Sequence, residues 1–203
     1  KPATDPNYEV RLWAVNQAVQ LRESLKKLAR HTQGGSWPEF SEYACFSCHH
    51  SLTRPEDSWR LERGYANRAP GAAPLESAHF TIFRILARDV DSPAAQQLET
   101  QMAALFQIAT IPGNSPKSIA HHAQAISDLA NRFVASINEA TFDQTRAARL
   151  LTAIADRGDA IAIQDTRSAE QAAMAMDTIF LCYEKQTSSQ PAVRTAIEGL
   201  FQE

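Results

Sequence analysis

The sequence predicts an all-α fold, a helical bundle, on three observations. Apolar residues recur at three- and four-residue spacing over nearly the whole chain after Leu75. The composition is rich in alanine, the strongest helix former. Start signals punctuate the periodic segments, with Pro at the first helical position after Ser92 and after Ser115. At 203 residues and 44% hydrophobic content, the chain is long enough to bury a core in one domain or two small ones.

Residues 8–31 open the chain with Leu12, Val15, Val19, Leu21, Leu25 and Leu28 on an amphipathic stripe, which predicts one long helix. Gln33-Gly34-Gly35-Ser36 ends it, and Trp37-Pro38 starts a short aromatic connection to Tyr43. The stretch from Thr53 to Pro74 carries Pro55, Gly64, Pro70, Gly71, Pro74 and four arginines, so a long irregular loop is expected there. Further helices are expected over 75–89, 93–109, 117–137, 142–157, 166–186 and 191–201. Ser92-Pro93 and Ser115-Pro116 read as N-caps followed by proline, and Thr141-Phe-Asp-Gln144 as a capping box. The linker Ile111–Pro116 suggests a division into a region 1–110 and a C-terminal bundle 111–203, packed as one unit. Charge follows that division: residues 1–90 hold 12 basic and 10 acidic groups, residues 91–203 hold 8 and 13.

Composition also excludes function classes. The formal net charge is −3 and no basic arm or stripe interrupts it, which argues against a nucleic-acid partner bound through phosphates. No apolar run approaches the roughly 20 residues of a transmembrane span. Residues 1–6 lack the apolar core of a signal peptide, so an export leader is expected to be already removed or never to have been present.

The chemistry is concentrated in Cys45-Phe46-Ser47-Cys48-His49, the C-x-x-C-H pattern of covalent c-type haem attachment. Positions i, i+3 and i+4 share one face of a helical turn, so both thiols can form thioethers while His49 turns its imidazole to the iron. From the chain's own Cys and His frequencies, roughly 0.001 chance occurrences are expected. A zinc site would need further ligands, yet the only other cysteine is Cys182. A thioredoxin-like redox pair would sit beside a βαβ pattern, and none is visible. Cys182 itself, within Ile179-Phe-Leu-Cys182-Tyr, reads as a small buried hydrophobe.

The run Trp37-Pro-Glu-Phe-Ser-Glu-Tyr-Ala-Cys-Phe-Ser-Cys-His-His-Ser-Leu52, with Ser58-Trp59-Arg60 and Arg63-Gly64-Tyr65, resembles the C-terminal, helix-rich, haem-bearing module of some bacterial multihaem cytochromes c. The resemblance covers about residues 8–75. It implies an exported, periplasmic electron-transfer protein with one haem c on Cys45 and Cys48 and His49 as proximal ligand, working with a redox partner or another haem-bearing subunit. The chain departs from that family in having a single C-x-x-C-H.

The second axial position has three candidates. His79 lies on the stripe Leu75, His79, Ile82, Leu86, and His122 on the stripe Ile119, His122, Ile126, Leu129, Phe133. Met102 shares a stripe with Leu98 and Leu105 and would raise the potential as a thioether ligand. His79 ranks first because it follows the expected wrapping loop, then His122, then Met102; the bland account of each is core packing. His50 is turned away from His49's iron, His121 away from the stripe of His122, and His31 suits a helix C-terminus as a cation.

Phe40, Tyr43, Phe46 and Trp59 could shield a porphyrin, and Arg54, Arg60, Arg63 and Arg68 could pair with its propionates. The function expected is single-electron transfer by an exported monohaem cytochrome, as carrier or as docked subunit. A five-coordinate gas-binding haem protein and a haem peroxidase-like enzyme are the alternatives, and the helices after Leu75 suggest docking or oligomerisation.

Overall fold

The computed structural model describes residues 7–35, 37–44, 74–111, 113–185 and 190–201. Among these, the chain forms nine α-helices, one short 3-10 turn and no strand: α1 (Tyr8–Gln33), the 3-10 turn Phe40–Glu42, α2 (Ala78–Thr81), α3 (Phe83–Val90), α4 (Ser92–Thr110), α5 (Pro116–Glu139), α6 (Gln144–Ala155), α7 (Gly158–Gln164), α8 (Thr166–Glu184) and α9 (Pro191–Gly199). The architecture is all-α, as the periodicity predicts.

The principal seam joins α1 to α5. Both helices bury alanines, Ala14 and Ala18 on one and Ala120, Ala123 and Ala130 on the other, and small side chains let helix axes approach closely. Larger residues, Leu21, Ile126 and Phe133, fill the remaining space. Polar contacts fix the register: Arg22 donates to Asn131 Oδ1 at 2.8 Å, and Ser127 Oγ to the Arg22 carbonyl at 3.2 Å. Helix α4 packs on α3 and α5, α8 packs on α6 and α7, and both α1 and α2 touch α8. Phe83 and Phe133 meet edge to face with centroids 5.3 Å apart, inside one apolar cluster running from Val10 to Cys182. That cluster draws side chains from both sides of residue 110.

Several element ends differ from expectation, each for a local reason. The first helix runs to Gln33, two residues past the expected end, and Gly35 at φ 81° takes the left-handed conformation that stops it. The expected helix 75–89 begins only at Ala78, because Leu75 is held in an isolated bridge to Tyr43, and it is divided at Ile82. Asp91, not Ser92, caps α4, its carboxylate accepting from the Ala94 amide. The capping box at Thr141 does not form. Asp143 caps α6 by accepting from the Arg146 amide at 2.8 Å. Ser115 does cap α5, with Pro116 at the first helical position, although its hydroxyl makes no cap bond. Helix α7 was not expected, since seven residues are too few to show a period.

Candidate functional site

The Cys45-Phe46-Ser47-Cys48-His49 motif lies outside the described residues, as do His50, Trp59, Arg54, Arg60, Arg63 and Arg68. What the structure describes is the place where that segment departs and returns. Tyr43 and Leu75 form an antiparallel bridge. The Ala44 amide donates to the Pro74 carbonyl, and the Glu76 amide to the Glu42 carbonyl, both at 2.9 Å. Residues 44 and 74, which bracket the motif-bearing stretch, are therefore clasped side by side.

Glu42 fastens the clasp to α1. Its nearly buried carboxylate stands 3.0 Å from Lys27 Nζ and 2.8 Å from His31 Nδ1. The His31 contact is close but is not aligned as a hydrogen bond. His31, expected only to suit the helix end, thus ties that end to the clasp. On the same connection, Tyr43 packs its ring on Trp37 at 5.7 Å, and burial pushes its hydroxyl pKa up. Phe40, by contrast, is 89% exposed and packs on nothing in the core.

Beside the clasp lies a cavity of about 510 Å³. Leu21, Leu25 and Leu28 of α1, Leu75, Phe80 of α2, and Met102, Leu105 and Phe106 of α4 give it an apolar wall. Lys27, Arg30, Glu42, Glu76 and Arg167 contribute charged groups to the lining, and Arg167 is joined to Glu76 at 3.1 Å.

Two of the three distal candidates line this cavity. Met102 is 3% exposed, with Leu98 and Leu105 buried on the same stripe. His79 is half-buried, and its Nδ1 is sealed from solvent without a hydrogen-bond partner among the described residues. Burial pushes the His79 pKa down; Glu76 opposes this and Arg167 adds to it, so the net shift favours the neutral ring. A buried ring nitrogen without a partner forfeits free energy.

His122 is placed differently. Its Nδ1 sits 2.9 Å from the Ser118 carbonyl, one turn earlier on α5, and it does not line the cavity. Part of its ring is already bonded within its own helix, and the stripe that seemed to aim it inward leaves it only half-buried. His121 is exposed, as expected. Cys182 is buried at 2% exposure.

Glu42, Glu76, Lys27, Arg30 and Arg167 had no signal in the sequence. Their charges look like any solvated helix face until the fold brings them to one rim. Among the described residues, no group of three or more His, Cys, Asp or Glu side chains converges on one point as a metal cluster would. No described helix is long and apolar enough to cross a membrane. Comparison with protein-family models, with curated proteins and with solved structures returns no match to this chain.

Proposed function

We propose that this chain is a c-type haem protein that passes single electrons, as an exported, periplasmic carrier or as a subunit docked to another redox protein. The observation that carries the reading is the Cys45-Phe46-Ser47-Cys48-His49 pentapeptide, which is joined directly to Ala44 in the clasp beside the cavity.

The cavity residues fit such a group on their own chemistry. An apolar wall excludes water, and the His79 imidazole has a buried nitrogen without a partner among the described residues. Arg30 at the lining suits the carboxylates a haem carries, while Lys27 and Arg167 are already paired with Glu42 and Glu76. Cys45 and Cys48 would hold the group covalently, with His49 as the proximal ligand. His79 is the preferred distal ligand and Met102 the second choice. His122 ranks below both, because it does not line the cavity. Tyr43, Phe46 and Trp59 would shield the group, and Arg60 would pair with a propionate.

When bound, the haem supplies a one-electron iron couple. The chain supplies position, dryness and a neutral base. Burial keeps His79 unprotonated, so a lone pair is available without first losing a proton. The Tyr43–Leu75 bridge and the Glu42 contacts hold the motif's attachment point against α1, and Leu25, Phe80 and Phe106 keep water from the His79 side.

The test is the mass and the visible spectrum of the matured protein. One haem added to the polypeptide mass, and a sharp low-spin α-band indifferent to carbon monoxide, are expected. A colourless protein with the mass of its amino acids alone overturns the reading. An immediate Soret shift with carbon monoxide replaces electron transfer by a gas-binding five-coordinate haem.

A further inference from the structure

We infer that the cleft between α3, α6 and α8 is a binding site for a small anion bearing carboxylate or phosphate groups. The cleft, about 890 Å³, shares no lining residue with the His79 cavity. Arg88, Arg149 and Arg157 line it, with Gln144, Thr145 and Thr152 as neutral hydrogen-bonding groups. Its volume lies in the range of small-ligand sites.

The argument is one of charge left over. Asp89, on the cleft wall, is already paired in charge: Arg146 Nε stands 2.7 Å from one carboxylate oxygen, and Arg149 Nη2 donates to the other at 2.9 Å. Glu99 is held by Arg84 through two contacts of 2.6 Å, and Arg88 reaches it only at 3.8 Å, beyond hydrogen-bond range. Arg157 is half-buried and makes no ion pair with any described residue. Asp156 stands beside it, exposed. Three guanidiniums, of Arg88, Arg149 and Arg157, therefore line the cleft against two carboxylates, Asp89 and Asp156, and Asp89 is already paired with Arg146 and Arg149, in a chain whose net charge is −3.

Such an excess is not what folding alone selects. Burial, then the nearby Arg88 and Arg84 charges, push the Arg157 guanidinium pKa down, while Glu99 and Asp156 only partly offset them. A bound anion relieves that repulsion. The guanidinium is also the donor fork that matches a planar carboxylate or a phosphate with two parallel hydrogen bonds. Among the described residues Arg157 makes no ion pair and Arg88 only the long one to Glu99, so both forks can turn to a ligand, and the neutral groups of α6 can complete an oxyanion's shell.

The experiment is isothermal titration of the matured full chain with inorganic phosphate in one arm and citrate in the other, at low and at physiological ionic strength. Saturable 1:1 binding is expected in at least one arm, weakening as salt is raised. The arm that binds assigns the phosphate or the carboxylate class. Arg157→Gln should weaken that binding at least tenfold, and Arg132→Gln, an exposed change on α5, should leave it intact. Circular dichroism on each variant separates loss of the site from loss of fold. Absence of saturable heat in both arms, or binding that survives Arg157→Gln in a folded protein, overturns the inference.

Discussion

His79 and Met102, a half-buried imidazole from α2 and a buried thioether from α4, line the same cavity. They differ in what they lack. Met102 is surrounded by apolar neighbours and satisfied as packing, whereas His79 Nδ1 is buried without a hydrogen-bond partner among the described residues. His79→Ala should therefore turn a low-spin spectrum high-spin and open the iron to carbon monoxide. Met102→Ala should leave the spectrum unchanged while lowering stability by about 2–5 kcal/mol, the usual loss for truncating a buried core side chain. Visible spectra and urea midpoints of the two variants distinguish the roles. A high-spin Met102→Ala protein beside an unaltered His79→Ala protein would reverse the assignment.

Thiol counting tests the proposed attachment at Cys45 and Cys48 without a spectrum. Cys182 is 2% exposed, and burial pushes its thiol pKa up; the Glu9 charge adds to this, while Lys185 and a bond from the Val10 backbone oppose it. In the native matured protein, alkylation at pH 8 should therefore be negligible, since the reactive thiolate is both scarce and enclosed. After denaturation the matured protein should titrate one thiol per chain, and the same chain produced without haem attachment should titrate three. Three thiols in the matured protein would show that Cys45 and Cys48 carry no thioether.

Helix starts show what was legible locally and what was not. Period and proline position give most of the helices, because both act within a few residues of sequence. The cap itself is decided by finer geometry. Asp91 competes with Ser92, and Asp143 with Thr141, and in each pair the aspartate carboxylate reaches the amide three residues on. Asp143→Ala should thus cost about 0.5–2 kcal/mol, whereas Thr141→Ala should cost far less, as compared by thermal unfolding. Equal losses would restore Thr141 as the cap.

The candidate site divides along the same line. The C-x-x-C-H spacing is readable because its chemistry is contained in five consecutive residues, and His79 because a lone polar residue interrupts an apolar stripe. Glu42, Glu76 and Arg167 are not readable, since their partners come from distant helices. Lys27 and His31 approach Glu42 from α1, and Arg167 reaches Glu76 from α8. A helix stripe likewise cannot tell a histidine that faces a cavity from one that bonds its own backbone, which is where His122 differs from His79.

The turn that bears His79 is anchored by a polar cluster of the same long-range kind. Gln164 donates to Ser77 Oγ and to Thr81 Oγ1, and Thr81 Oγ1 lies 3.1 Å from Ser168 Oγ, which in turn donates to Asp165. Ser77, Thr81 and Ser168 are all buried, so water cannot replace a lost bond. Thr81→Val keeps the shape but removes the central hydroxyl, leaving Gln164 and Ser168 short of a partner. A loss of about 1–3 kcal/mol is expected, read from the urea midpoint at constant slope. Thr100→Val is the control: its exposed hydroxyl bonds only the Gln96 carbonyl of its own helix, and the change should stay within about 0.5 kcal/mol. If both variants shift the midpoint equally, the cluster contributes nothing beyond helix propensity, and the position of His79 must be held by apolar packing of Phe80 and Leu75 alone.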